Sequence, residues 1–180
     1  MTHPTPHSTH SGFTLLELLV VMTLIGILTT FAVLRIDFGN PAERQQKEAQ
    51  RLLQLMHLAS QQALLQSRQL GLRFEAQQYQ FYQLIDGKRW QTLQEKQLRK
   101  RELPENLTFE IQIEGLSISL DEPRDEQQQK SRKPHIFLLS SGEILPDFAI
   151  LIQDQDSRLQ YRIEPGVEKA LQLKREGDSL

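Results

Sequence analysis

Ser141-Gly142, with His135 and Asp147 nearby, is the grouping in this chain whose residue types fit nucleophilic catalysis. A nucleophile elbow needs a strand, a strained turn carrying the serine, and then a helix. The residues around Ser141 read as strand, turn and strand, so no catalytic residue is expected. Asp121 to Glu126 gathers acids that could collect Ca²⁺, but it lacks EF-hand spacing and runs on into Arg and Lys, as a solvated charge run does. No metal site is expected there, nor at His3, His7 and His10, which are scattered through a polar, Pro-containing start. The chain has no cysteine, which excludes disulfides and thiolate metal sites. It has no Gly-rich phosphate loop, so no nucleotide or other cofactor is expected.

Glu17 carries a different kind of chemistry. It is followed by a run from Leu18 to Leu34 without a charged residue. A helix rises about 1.5 Å per residue, so roughly 20 apolar residues cross a hydrocarbon core of about 30 Å. A buried core helix would be shorter and would show a polar face, whereas this run is apolar all round. A membrane-spanning helix is expected. A carboxylate at the centre of such a helix costs about 2.5–3.5 kcal/mol on insertion scales, so an acid kept there usually marks a function. Near the interface, where Glu17 falls, the cost is lower.

Gly12-Phe13-Thr14-Leu15-Leu16-Glu17, leading directly into the apolar run, resembles the class III signal of type IV pilins and pseudopilins. The resemblance implies that a prepilin peptidase cuts between Gly12 and Phe13 on the cytoplasmic side and methylates the new amino terminus, making Phe13 N-methylphenylalanine. It also implies that Glu17 is the assembly glutamate. About one helical turn separates it from Phe13, so it can meet the positive amine of a neighbouring Phe13, and sliding by a turn would leave both charges unpaired. A glutamate that snorkels to the headgroups and pairs with nothing is the plainer alternative. The leader lacks the Lys or Arg usual in this family, and Arg35 lies on the side assigned to the periplasm, so orientation rests on the resemblance rather than on loop charge.

At 180 residues with a net charge of −2, there is room for this helix and one modest soluble domain, without general attraction to nucleic acid. Asn40-Pro41 with Glu43 reads as a helix start. Ala49, Leu52, Leu53, Met56, Ala59, Ala63 and Leu64 then recur at three- and four-residue spacing, predicting an amphipathic helix to about Arg68 with Gln, Glu, Lys and Arg on its other face. His57 beside the stripe reads as a boundary residue.

Beyond Ser67 the period becomes 2. Strands are expected at Leu70 to Phe74, Gln78 to Ile85, Lys88 to Leu93, Leu107 to Ile113, Leu116 to Leu120, His135 to Leu139, Phe148 to Ile152 and Leu159 to Ile163. Asp86-Gly87 signals a hairpin, and Trp90 is expected to anchor the core. Gln94 to Glu105, including the basic run Lys96 to Arg101, reads as an irregular solvated loop. Asp121 to Pro134 reads as a mobile loop. Pro165-Gly166 is expected to end the sheet, with a charged tail from Val167.

The expected fold is α+β: an N-terminal transmembrane helix continuing into an amphipathic helix packed on antiparallel β-sheet, pilin-like. The expected division is a removed leader (1–12), a transmembrane and assembly helix (13–36) and a periplasmic domain (37–180). Leu-Gly-Leu-Arg at Leu70 to Arg73 and Leu-Leu-Ser-Ser-Gly-Glu at Leu138 to Glu143, followed by Pro146, make the chain similar to the H-type minor pseudopilins of type II secretion. That resemblance implies a non-enzymatic subunit near the tip of a short filament that pushes folded exoproteins through the outer membrane. It also implies a place in the inner membrane by a single pass, with the amino terminus cytoplasmic. Its implied partners are the other minor pseudopilins, the major pseudopilin, prepilin peptidase and the inner-membrane assembly platform, and no nucleic acid. A minor type IV pilin acting in adhesion or DNA uptake, and a membrane-anchored periplasmic binding domain, are the alternative readings.

Overall fold

The structure is a computed structural model that describes residues 14–34, 41–120, 133–155, 157–166 and 170–177, with side chains described at these positions except 29–34 and 41. By internal contacts the chain divides into two compact units, Met1–Gly39 and Asn40–Leu180. Gly12, Phe13, Asn40 and the acids of Asp121 to Glu126 lie outside the described residues.

The first unit contains helix α1 (Leu15–Leu34). Its described apolar side chains, among them Leu18, Val21, Met22 and Ile25, are exposed around the whole helix. Thr23 Oγ1 donates to Leu19 O at 2.8 Å, so this hydroxyl is satisfied within the helix. Among the described residues no helix is long and apolar enough to cross a membrane. The described side chains of α1 end at Leu28, short of the roughly 20 residues that a span needs.

The second unit opens with helix α2 (Pro41–Leu65). It starts at the expected proline and ends before Arg68 because Ser67 turns left-handed, with φ 50°. Arg68 N donates to Ala63 O at 3.0 Å and Ser67 N to Leu64 O at 3.4 Å, the paired bonds that close a helix C-terminus. Ala49, Leu52, Met56, Ala59 and Ala63 are fully buried. Leu64, assigned to the same stripe, is instead 51% exposed, because its spacing carries it past the edge of the buried face.

Gln45 continues the buried stripe one turn toward the start of α2, against the expectation that glutamines lie on the outer face. It is fully buried, and its Nε2 donates to Ile152 O at 2.7 Å and Leu159 O at 2.8 Å. One amide thus ties the helix to two backbone carbonyls. Gln45→Leu is expected to destabilise the domain by about 2 kcal/mol, since burying polar groups without partners costs about 1–3 kcal/mol. Urea unfolding of the two proteins side by side checks it.

All the described strands pair antiparallel, in two sheets. The first contains β1 (Leu70–Glu75), β2 (Gln78–Ile85), β3 (Arg89–Thr92), β4 (Arg101–Glu102), β7 (Ile136–Leu138) and β8 (Ile144–Leu145). Its order is β3-β2-β1-β7-β8, with β4 also on β2. The second sheet runs β11-β10-β9-β5-β6, from β5 (Leu107–Ile113), β6 (Leu116–Ile118), β9 (Phe148–Asp154), β10 (Gln160–Pro165) and β11 (Leu171–Glu176). The Asp86-Gly87 and Glu114-Gly115 turns have positive φ at both residues, which suits the right-handed twist of a two-residue hairpin.

One core joins α2 to both sheets. Phe109 of β5 meets Phe74 of β1 edge-on with ring centroids 5.0 Å apart, and Tyr79 of β2 at 5.9 Å. Such pairs add about 0.5–1.5 kcal/mol beyond area burial.

Three further expectations are corrected. The charged tail is not all tail, because Leu171–Glu176 forms the edge strand β11 on β10. Trp90 does not anchor the core; it packs on the outer face of the first sheet against Phe137, with centroids 5.6 Å apart. The Gln94 to Glu105 segment is not simply solvated, since Leu98 is fully buried, Leu103 is 8% exposed and Arg101–Glu102 pairs with β2.

The outer face of the second sheet carries a charge network. Glu110 accepts hydrogen bonds from Ser117 Oγ at 2.9 Å and Gln153 Nε2 at 3.0 Å. The bond from Ser117 is the main cause holding its carboxyl below the ordinary value of 4.5, with help from Gln112, Gln153 and Arg162 against the opposing effect of burial. A depressed carboxylate stabilises the fold above its unfolded pKa, and that stabilisation is lost as pH falls through the folded pKa. Ser117→Ala should therefore lose less Tm than the parent on acidification from about pH 7 to about pH 3, by a small margin, because water screens this group. Parallel thermal melts check it.

Candidate functional site

The described part of the N-terminal motif begins at Thr14. Glu17 N donates to Thr14 Oγ1 at 3.2 Å and lies 3.1 Å from Thr14 O, so Thr14 caps α1 with Glu17 at its third position. Thr14-Leu15-Leu16-Glu17 has the form of a capping box. This second role for the motif was missed in the sequence reading, although Thr followed three residues later by Glu before an apolar run is its signature. The consequence is geometric: the turn that carries Glu17 is fixed at the very start of the helix. An acid there also complements the positive end of the helix dipole.

α2 presents Lys47, Gln50, Gln54, His57 and Gln61 to solvent, at the spacing of a single face. His57 is exposed on it and has no role in the core. The residues weighed for hydrolysis are held separately. Ser141 Oγ donates to Glu143 Oε2 at 3.4 Å, while His135 Nδ1 accepts from the backbone N–H of Phe74 at 3.2 Å. His135 thus bonds to the β1 backbone just ahead of β7. Among the described residues no cluster of His, Cys, Asp or Glu could hold a metal ion.

Leu138 to Glu143 runs from the end of β7 into the turn before β8. Leu139 N donates to Glu143 O at 2.8 Å and Gly142 N to Leu139 O at 3.0 Å, with Gly142 at φ 87°. This turn comes back beside the end of α2, where a Cβ on Gly142 would stand 4.0 Å from Leu64 Cδ1. The motif therefore builds a specific corner of the fold. The family model described as Type II transport protein GspH matches residues 48–166, a span that includes that corner, most of α2 and all strands but the last.

The chain belongs to the GspH family.

A second model, the prokaryotic N-terminal methylation motif, matches residues 7–33. Type II secretion system protein H of Pseudomonas aeruginosa is 36% identical over 136 residues, covering 75% of this chain and 78% of the relative. The protein of the same description from Aeromonas hydrophila is 31% identical, covering 84% of this chain and 85% of the relative. Among solved structures, the minor pseudopilin EpsH from the type II secretion system of Vibrio cholerae superposes with a TM-score of 0.60 at 25% identity, covering 77% of this chain and 98% of that one. The resemblance to H-type minor pseudopilins and the α+β, pilin-like fold are borne out.

Proposed function

We propose that this chain works as a minor pseudopilin, a structural subunit of the type II secretion pseudopilus with no catalytic step of its own. The observation that carries the reading is the GspH match over 48–166 in the same chain as a methylation motif over 7–33. The protein is anchored in the inner membrane through residues 13–36, with the amino terminus cytoplasmic and residues 37–180 periplasmic, once the leader (1–12) has been removed by prepilin peptidase between Gly12 and Phe13. The new Phe13 amine is methylated and pairs with Glu17 of a neighbouring subunit to set the axial register. The exposed apolar sides of α1 support burial in lipid or among neighbouring helices, since apolar surface on this scale is unfavourable in water. Its partners are the other minor pseudopilins, the major pseudopilin and the assembly platform. Placed near the tip, it helps the growing filament push folded exoproteins outward.

Deletion of this subunit in its own bacterium tests the reading. Folded exoproteins should accumulate in the periplasm while surface pili and DNA uptake are unchanged. Loss of piliation or DNA uptake with normal secretion would overturn it in favour of a type IV pilin.

A further inference from the structure

Lys96 to Arg101 forms a fixed basic edge. Leu98 in its middle is fully buried and Arg101 is hydrogen-bonded into the first sheet opposite Tyr79, so the flanking cations are held by the core. Arg99, Lys100 and Arg101 line a groove of about 350 Å³ with Arg51 of α2, and Glu102 is the carboxylate among its lining residues. Arg51 is bonded to Glu48 at 2.7 Å, and Lys100 stands 3.5 Å from Glu102. Arg99 and Lys96 have no ion pair among the described residues and are exposed. Arg101 Nε, on a lining residue, and the hydroxyl of Tyr79, the β2 residue opposite Arg101, are buried and have no partner among the described residues. Burial pushes the Tyr79 pKa up to about 12, against an opposing pull from Arg101, and Glu48 and Arg51 also lie within electrostatic reach. The phenol thus stays a neutral hydroxyl on the residue that faces Arg101 across the β2–β4 pair.

We infer that this groove is a docking site for the carboxylates of an acidic segment on a neighbouring pseudopilus subunit. Three guanidinium groups suit planar carboxylates, which they can bind through paired N–H donors. The buried Leu98 fixes the backbone that carries Arg99 and Arg101, which lowers the cost of ordering this segment on binding. A nucleic acid fits less well: its phosphates need an extended basic track, whereas this edge is bounded by Glu95 and Glu102 on a chain of net charge −2. The identity of the partner as a pseudopilus subunit rests on the function proposed above, but the carboxylate chemistry of the groove does not.

The test uses the full-length protein from membranes in zwitterionic detergent, with a fluorescent poly-glutamate peptide as probe and anisotropy as readout. The parent should bind, more weakly as salt rises, and Arg99→Gln with Lys100→Gln should lower the affinity at least about tenfold. Both residues are exposed, so the thermal melt should not move. No binding by the parent, or equal binding by the variant, would overturn the inference. So would stronger binding of a DNA oligonucleotide of equal charge, or loss of peptide binding in micelles doped with phosphatidylglycerol, because the site would then be for phosphate polyanions or lipid. Prepilin-peptidase processing, measured on the same protein, reads the pseudopilin assignment separately, so the two readings can fail independently.

Discussion

Glu17→Ala is expected to give a protein that is made and inserted but does not join the filament, with exoprotein secretion falling to the level of cells lacking the subunit. The capping bonds to Thr14 use the backbone N–H of Glu17, so alanine keeps the start of α1 and removes only the carboxylate. In a packed apolar bundle the Phe13 amine of the neighbour would then be left unpaired, and breaking one partner of a buried pair costs about 3–5 kcal/mol. That corresponds to a loss of about 150-fold to a few thousand-fold in association. Thr14→Ala is the matching control: losing the cap costs about 1 kcal/mol, so assembly should weaken and not vanish. Subunit cross-linking in membranes, with exoprotein secretion alongside, checks both. A Glu17→Ala protein that assembles and supports secretion normally would remove the proposed pairing.

Gly71→Ala should be among the most damaging single changes in the soluble domain. Gly71 lies in β1 opposite Tyr82 and Phe137, and a Cβ there would stand 2.6 Å from Pro134 Cβ, closer still to its Cγ, and 3.1 Å from Trp90. Pro134 is buried against this face. To admit a methyl group the proline ring and the Trp90–Phe137 pair must move apart. Overpacking of this kind costs about 1–3 kcal/mol, or several degrees of Tm for a domain of this size. Pro134→Ala should cost less alone and should recover part of the loss when combined with Gly71→Ala, because the two groups compete for one space. Melts of the three variants would show non-additivity if the clash is real, and simple addition would refute it.

The same outer face explains where the sequence misleads. Trp90 was expected in the core because the largest apolar residue of a strand usually points inward. Here the outward face is itself half covered by Phe137 and Pro134, so an aromatic residue on the solvent side still finds partners. Helix α2 and strands β1, β2 and β5 were legible because their apolar spacing follows a single buried face. β11 was not: it is an edge strand with two apolar residues, Leu171 and Leu173, and its remaining contacts are charge pairs such as Lys174 with Glu164 at 2.6 Å. A charged edge is what a sheet uses to avoid pairing with other chains, and in sequence it reads as a tail. Gln45 was hidden for a related reason. Its spacing placed it on the buried stripe, but residue type overruled spacing, since a glutamine belongs inside only where backbone carbonyls await its amide. The Thr14 cap was legible in principle, since Thr14 and Glu17 stand at capping-box spacing before an apolar run. The basic edge at Lys96 to Arg101 could not be recognised as fixed without seeing that Leu98 is buried.

The most direct test of the central claim is the intact mass and N-terminal residue of the protein from cells with and without prepilin peptidase. Loss of Met1 to Gly12 and addition of one methyl group to Phe13 are expected only when the peptidase is present. An unprocessed amino terminus in both strains would contradict it, since a pseudopilin that keeps its leader has no free Phe13 amine to pair with Glu17.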